Sequence, residues 1–255
     1  YRQHWNDPTV TAALLVVEYA GSSDAEVAAG LDAGTRALAA AGFHGAVVRA
    51  VDPGVQERVW RVRKVGLGIL LGMRGDWKPV AGVEDTGVPP EALADYMADV
   101  HRLLGDLGVR AGYYGHASSG CIHIRPIVNL KTAEGVDTLA ALAEEMFELV
   151  LRHGGVNSSE HGDGLARGQF NRRHFGDAVY GLFEQVKSAF DPQGILNPGK
   201  IVGCPPLTEN LRYAPGYRAI ELPARLVYPL DGGIARAIEQ CNGAGVCRNL
   251  DLGTM

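Results

Sequence analysis

Apolar residues recur every three to four positions in three stretches of the chain, and each stretch predicts a helix with one buried face. The clearest stripe is Leu93, Tyr96, Met97, Val100, Leu103, Leu104 and Leu107, in a helix that starts at Pro89. A second runs from about Gly135 to Arg152 with Leu139, Leu142, Met146, Leu149 and Val150 inward, and a third spans Asp177–Phe190, ended by Asp191-Pro192. Two more helices are expected upstream. Asp24–Ala41 is Ala-rich, with Asp24 able to cap it and Gly42 able to end it. Pro53 to about Leu71 opens on a proline near the first turn, where a missing N–H costs nothing. Extended segments alternate with these. Thr11–Tyr19, rich in β-branched residues and ended by Gly21-Ser22-Ser23, reads as a buried strand, as do Phe43–Ala50 and Trp77–Glu84. Val109–His116 and Cys121–Val128 are extended and adjacent through a short turn.

Helices interleaved with strands, two of them adjacent, predict an α+β layer in which helices cover one face of a largely antiparallel sheet. The texture changes past Lys200. Pro205, Pro206, Pro215, Pro223 and Pro229 punctuate Gly203–Leu230, which has little periodicity and is expected to wrap a surface or link domains. The expected organisation is therefore a domain over 1–203, a Pro-rich wrap or linker over 204–240, and a short cysteine-bearing segment over 241–255.

Composition narrows the class. At 255 residues one substantial core is affordable, because a fold of this size buries about 70% of the surface its unfolded chain exposes. Hydrophobic residues at 46% and charged residues at 21% exclude a disordered chain. The net charge of −5 and the lack of a basic tract argue against a nucleic-acid partner. Apolar runs such as Thr11–Val17 fall far short of the roughly 20 residues that cross a bilayer, so no transmembrane segment is expected. Tyr1 in place of Met, with no leader pattern, is the mark of a piece of something longer. Four cysteines are too few for a disulfide framework at this length, which points to a reducing, cytoplasmic compartment. Cys121, inside the apolar stretch to Ile127, reads as a small buried hydrophobe or as a reactive thiol.

Two stretches could carry chemistry. In Gly115-His116-Ala117-Ser118-Ser119-Gly120-Cys121-Ile122-His123, a continuous strand would put the two histidines on opposite faces. A two-residue turn at Ser119-Gly120 instead pairs Ser118 with Cys121, Ala117 with Ile122 and His116 with His123. Directly opposed side chains share a face with Cβ atoms about 5 Å apart, so the pair could chelate one ion, or be two hydrogen-bonded, partly buried histidines. In Gly154-Gly155 through Glu160-His161-Gly162-Asp163-Gly164, glycines flank an aperiodic loop that is either acid–base or metal equipment or a solvated turn. Together His116, His123 and Glu160 make a two-histidine, one-carboxylate set, which leaves a coordination position open for catalysis. His161 would then be a free imidazole beside the metal, suited to act as a general base.

The remaining signals are weaker. Arg61 and Lys64 in Trp60-Arg61-Val62-Arg63-Lys64 read as a solvated helix face, and Gly66-Leu67-Gly68 sits inside a helical pattern, which excludes a dinucleotide loop. Cys241 and Cys247, among glycines, could begin an iron–sulfur or zinc site but supply two ligands where four are usual.

Several stretches together resemble the C-terminal, substrate-binding half of the FAD-linked D-2-hydroxyacid dehydrogenases, a family that includes D-lactate, glycolate and D-2-hydroxyglutarate dehydrogenases and is related to vanillyl-alcohol oxidase. The matching pieces are Val59 through Lys64, Glu84-Asp85-Thr86-Gly87-Val88-Pro89, Gly115-His116 through His123, and Gly155 through Gly164. Phe190-Asp191-Pro192 through Leu196-Asn197-Pro198-Gly199-Lys200 completes them in family order, over roughly residues 10–203. The last 15 residues are similar to the start of the iron–sulfur segment of the family's multidomain branch.

The resemblance implies a ferredoxin-like substrate domain and assigns roles residue by residue. His116, His123 and Glu160 match the family's ligands to a divalent metal, usually zinc. His161 matches the base that removes the substrate hydroxyl proton. Arg63 and Lys78 match cations that hold substrate carboxylates, a task to which a planar guanidinium is suited. Asn197 matches a segment near the flavin, and Cys241 and Cys247 match ligands of a 4Fe-4S cluster in the full-length protein. The implied reaction is oxidation of a D-2-hydroxy acid to the 2-oxo acid, with FAD bound mainly by a preceding half that this sequence does not contain. Electrons would pass to a quinone or an electron-transfer protein, in a cytoplasmic enzyme or one peripheral to the membrane. The chain alone is expected to be inactive.

Four places depart from the family pattern. Ser119-Gly120-Cys121 and Arg125 stand where the family often has Asp-Gly-Asn and a further Asn; Arg125 is either another carboxylate contact, hinting at 2-hydroxyglutarate, or an ordinary strand-edge arginine. Leu67 replaces a hydroxyl side chain of some relatives, and Ala244 replaces a cysteine of a Cys-x-x-Cys run. The alternatives to the dehydrogenase are a metal-dependent hydrolase using the same His116/His123/Glu160 site and a non-catalytic module whose histidine pair is structural.

Overall fold

The computed structural model describes residues 13–220, 223, 225–243 and 245–248. The chain divides into two compact units, residues 1–63 and 64–255, a division that falls inside the stretch read above as one domain.

In the first unit, α1 (Asp24–Ala40) is N-capped by Ser23, whose hydroxyl accepts from the Glu26 amide at 3.3 Å. Glu26 Oε2 in turn accepts from the amide and the hydroxyl of Ser22, each at 2.7 Å. The cap is thus Ser23 rather than Asp24, which lies in the first turn where its charge favours the helix dipole. The Tyr19 ring lies over Gly30 and Gly34, leaving no room for a Cβ at either position. The strands expected over 11–19 and 43–50 do not form among the described residues: residues 13–20 and 46–51 enter no ladder, and Leu14, Leu15 and Val48 are exposed. A strand's hydrogen bonds go to another strand, so an apolar β-branched run cannot become one without a partner. Residues 11 and 12 lie outside the described residues. α2 (Pro53–Leu71) forms over the range its sequence predicts, contains the division between the units, and holds Gly66 and Gly68 in mid-helix.

The second unit is built on an antiparallel sheet. Its elements are β1 (Lys78–Pro79), β2 (Asp85–Gly87), α3 (Leu93–Asp106), β3 (Arg110–His116) and β4 (Cys121–Val128), then α4 (Ala133–Arg152), α5 (Gly164–Arg167), α6 (Asn171–Phe190) and α7 (Ile234–Ile238). β4 is central. β3 pairs along one edge, and β2 and β1 share the other. Of the expected strand Trp77–Glu84 only β1 forms, and β2 begins one residue past its end. Lys78 pairs with Val128 and Asp85 with His123, so seven steps along this edge match five along β4, and the surplus bulges out.

The β3–β4 turn differs from the expected one. His116 pairs with Cys121 and Tyr114 with His123, so the loop is the four residues 117–120, a 3₁₀ turn over Ala117–Ser119 closed by Gly120 at φ 70°. The physical reason lies in Ser119-Gly120 itself. A two-residue hairpin needs positive φ at both central positions or glycine at the first, and here serine comes first. The longer turn is pinned by Ser119 Oγ donating to His116 O at 3.0 Å and Val88 N donating to Gly120 O at 3.1 Å.

α3 and α4 pack on each other and on the sheet. Tyr96, Val100 and Leu104 of α3 and Leu139, Leu142, Met146, Phe147, Leu149 and Val150 of α4 join Ile124 and Val128 in one core, while Leu107 at the end of its stripe is exposed. Thr132 caps α4 by accepting from the Gly135 amide at 3.1 Å. α6 starts at Asn171, earlier than its periodicity indicates, because Gly176 (φ 75°) kinks it and hides the first turn from the apolar pattern. The segment from residue 204 carries no regular element before α7 among its described residues. It is held by buried Leu207, whose amide donates to Gln169 Oε1 at 2.9 Å, and by Glu239, which accepts from Lys131 Nζ at 2.8 Å.

Candidate metal and acid–base site

The end of the sheet nearest the 117–120 turn collects chemistry from four places. β4 contributes His123 and Arg125, β3 contributes Tyr114 and His116, and Glu84 and Asp85 come from the opposite edge. The loop between α4 and α5 brings Glu160 and His161. Gly87 and Val156 exchange backbone hydrogen bonds at 3.0 and 2.7 Å, and the Ser159 amide donates to Asp85 O at 2.9 Å, so this loop extends the sheet edge.

Asp85 fastens the loop. Its carboxylate is 0% exposed and accepts from Ser158 Oγ, Ser159 N and Oγ, Glu160 N and His161 N at 2.8–3.2 Å. Burial alone would raise this carboxyl, but the amides of His161 and Glu160, the Ser159 hydroxyl and the Arg167 guanidinium outweigh it and hold it below the ordinary carboxylate range.

With the loop so held, three imidazoles surround one oxygen. Glu160 Oε1 lies 2.9 Å from His123 Nε2, 3.3 Å from His161 Nε2 and 3.7 Å from His116 Nε2. The register shift leaves this convergence intact because it is by an even number of residues: His116 sits diagonally to His123 on the same face, ring centres 5.9 Å apart. His123 is 1% exposed and stacks on His161, with centroids 4.5 Å apart and rings 9° from parallel. Burial, with the neighbouring His161, pushes the His123 imidazolium down against the pull of Glu84, Glu160 and Asp85, so the ring is neutral at ordinary pH.

These residues fit a divalent ion. Ligands of one tetrahedral zinc stand about 3.3 Å from each other, and the three distances to Glu160 Oε1 straddle that value. Asp85, His123, Glu160 and His161 each offer a ligand atom within 4.8 Å of the others. Of these, Asp85 has its oxygens taken by the loop; His116 is not in this set and stands half-exposed with Nε2 3.7 Å from Glu160 Oε1. The local charge suits a cation as well: carboxylates at Glu84, Asp85 and Glu160 exceed the guanidiniums of Arg125 and Arg167 by one.

The other candidate residues stand on other elements. Lys78 pairs with Val128, five residues along β4 from His123, or about 16 Å of strand. Its Nζ donates to Met73 O, and burial pushes its ammonium down despite Glu239 and Asp76 nearby. Arg63 is the last residue of the first unit, on α2. Asn197 stands in an exposed turn with left-handed φ of 46°. Cys241 and Cys247 are both exposed, and two thiols do not complete the four-ligand shell of a cluster. Arg125 is not a strand-edge arginine. It is 6% exposed, donates from Nε and Nη2 to Tyr114 Oη at 3.1 and 2.7 Å, and pairs with Glu84 at 3.1 Å, which leaves little of it for a substrate carboxylate to reach. Cys121 is a buried thiol with Ser159 Oγ 3.0 Å from its sulfur, and burial raises it above the ordinary thiol value. Glu84, Asp85 and Arg167 were not legible as site residues. Glu84 and Asp85 lie in a stretch that carries the family resemblance and are adjacent acids among apolar residues, while Arg167 had no such signal.

Residues 2–201 match the family described as FAD linked oxidases, C-terminal domain. The chain belongs to this family. As a FAD-linked oxidase C-terminal domain it is 36% identical over 200 residues to D-2-hydroxyglutarate dehydrogenase of Escherichia coli K12, covering 76% of this chain and 19% of that protein. It is 34% identical over 248 residues to D-2-hydroxyglutarate dehydrogenase of Pseudomonas putida KT2440, covering 94% of this chain and 24% of the relative. It is also 34% identical over 148 residues to D-lactate dehydrogenase of Archaeoglobus fulgidus, at 58% and 31% coverage. The domain thus spans about a fifth to a quarter of the length of the D-2-hydroxyglutarate dehydrogenases it matches. These relatives lend no support to the hydrolase reading. Among the described residues no helix is long and apolar enough to cross a membrane.

Proposed function

We propose that this chain is the substrate and metal domain of a flavin-dependent dehydrogenase that oxidises a D-2-hydroxy acid, of the D-2-hydroxyglutarate or D-lactate class, to its 2-oxo acid. The observation that carries the reading is the convergence of three imidazole Nε2 atoms on one oxygen of Glu160, in a chain of the FAD-linked oxidase family.

In this reading His116, His123 and Glu160 would hold a divalent ion, zinc by the character of the nitrogen and oxygen donors. Such an ion, when bound, would lower the pKa of a coordinated hydroxyl, and a bound flavin would supply the hydride acceptor. The chain's own residues do the rest. His161, partly exposed beside the cluster, accepts the hydroxyl proton at Nε2 as the C2–H electron pair leaves as hydride, so that one proton and one hydride account for the two-electron oxidation. Buried Asp85 keeps the loop carrying that base from drifting. Arg63 and Lys78 are carried as carboxylate-binding residues on their motifs alone. Cys241 and Cys247 would give two thiolates to a 4Fe-4S cluster of the full-length protein, from which electrons pass to a quinone or an electron-transfer protein.

Anaerobic mixing of the full-length flavoprotein with D-2-hydroxyglutarate and with D-lactate tests the proposal by bleaching of the flavin absorbance. His161→Asn should retain stoichiometric metal and lose bleaching by at least the 10²–10⁴-fold typical of a general base, whereas His116→Ala should lose the metal. Failure of every D-2-hydroxy acid to bleach the flavin, or full bleaching by His161→Asn, would overturn it.

A further inference from the structure

The chemistry of the cluster depends on which nitrogen of each imidazole carries its hydrogen, and one residue outside the ligand set faces both rings. Glu84 precedes β2 and is fixed there by Ile124 N donating to its carbonyl at 3.1 Å. Its side chain runs beneath the stacked rings of His123 and His161. Oε1 lies 3.0 Å from His161 Nδ1, and Oε2 lies 3.5 Å from His123 Nδ1. Both rings therefore turn their Nδ1 edge to the same carboxylate and their Nε2 edge to Glu160 Oε1. Glu84 Oε2 and His123 Nδ1 are also two of the buried polar atoms left without a hydrogen bond, and they face each other. A closure of a few tenths of an ångström would satisfy both.

A carboxylate can only accept, and each ring stands between two of them, Glu84 at Nδ1 and Glu160 at Nε2; an ion bound at Glu160 Oε1 would occupy that side and leave Glu84 as the acceptor for the ring hydrogen, on Nδ1. In a neutral imidazole the other nitrogen is then left with its lone pair. Glu84 has the support that a buried charge needs to hold such a position. It is 5% exposed, with Arg125 Nη2 at 3.1 Å from Oε2 and Arg167 Nη1 at 3.6 Å from Oε1, and both arginines are themselves buried. Resting on the reading of the site given above, we propose that Glu84 is a positioning residue that sets the Nδ1–H tautomer of His123 and His161 together, presenting a ligand lone pair and a base lone pair to the same point.

Glu84→Gln separates this role from simple packing, because its shape is unchanged. The glutamine oxygen can accept from one ring, but its NH₂ must face Nδ1 of the other and draw that ring to the Nε2–H form. Two-bond ¹H–¹⁵N correlation spectra of the zinc-loaded chain, at a pH where both rings are neutral, should show His123 and His161 as Nδ1–H in the wild type and His161 as Nε2–H in Glu84→Gln. Zinc competition against a chromophoric chelator should show a 10–100-fold loss of affinity in Glu84→Gln, with part of it regained in Glu84→Asp. Either ring found as Nε2–H in the wild-type chain overturns the proposal, even if the variant does not fold. So do unchanged tautomers and unchanged zinc affinity in a folded Glu84→Gln. A wild-type chain that binds no zinc would sink the metal reading on which this role rests, whereas Nε2–H in a zinc-loaded wild-type chain would sink the role of Glu84 alone.

Discussion

Replacing Asp85 by asparagine removes a charge and leaves the volume unchanged, in a group that five donors of one loop share. An asparagine oxygen can serve two of those donors well. Its NH₂ then confronts the Glu160 and His161 amides, whose hydrogen bonds go to this carboxylate. Each buried donor left unmet costs roughly 1–3 kcal/mol, and bonds to a charged acceptor are the stronger kind. Two such losses come to about 2–6 kcal/mol against a total stability of roughly 5–15 kcal/mol. The chain therefore still folds, and the loss falls first on the 158–161 loop, which can lift away and let water satisfy its amides. Urea unfolding should show a lower midpoint. Hydrogen exchange should show the Ser159, Glu160 and His161 amides losing protection by far more than the α4 core, and zinc affinity should fall with them. The sign with pH is also set. The folded carboxyl lies below its unfolded value of about 3.9, so its stabilisation is present above that value and fades as pH falls through the folded one. Wild type and Asp85→Asn should converge in acid. A variant within 1 kcal/mol of wild type at neutral pH, with its loop amides still protected, would refute the account of how the loop is held (the threshold being about the worth of one ordinary hydrogen bond).

Other expectations follow from single features. Gly120→Ala puts a Cβ at φ 70° and against the Val88 carbonyl, so a loss of about 2–4 kcal/mol is expected in chemical denaturation. Arg236 and Lys131 hold the Asp76 carboxyl down to about 2. The contribution of this half-open cluster, about 1 kcal/mol after solvent screening, is thus complete above the unfolded value of about 3.9 and is lost as pH falls toward the folded one; Asp76→Asn should cost stability at neutral pH and almost nothing at the acid limit of unfolding curves, and less in high salt. The cysteines should titrate with a thiol reagent in the order of their exposure, Cys241 and Cys247 fast, Cys204 slower and Cys121 last. Rapid modification of Cys121 in the folded chain would contradict its place beneath Ser159.

The chain alone settled the features whose physics is local. The stripes of α3 and α4 needed only the period of 3.6 residues, and the buried residues Tyr96, Val100, Leu104, Leu139, Leu142 and Met146 lie on the faces that period marks. The strands flanking the 117–120 turn, and the shared face of His116 and His123, were legible because alternation survives any even error in register. Tertiary structure decided what depends on closing long loops. Residues 13–20 and 46–51 have the apolar content of strands but no ladder, since a strand exists only when another supplies its hydrogen bonds. Glu84 and Asp85 reach the histidines only because the edge strand bulges before pairing with β4, and the loop from α4 meets them only through Gly87 and Val156. Nothing periodic marks such encounters between residues 30 or more positions apart along the chain, as Glu84 and His123 are. They are set by which backbone groups find partners once the core has formed.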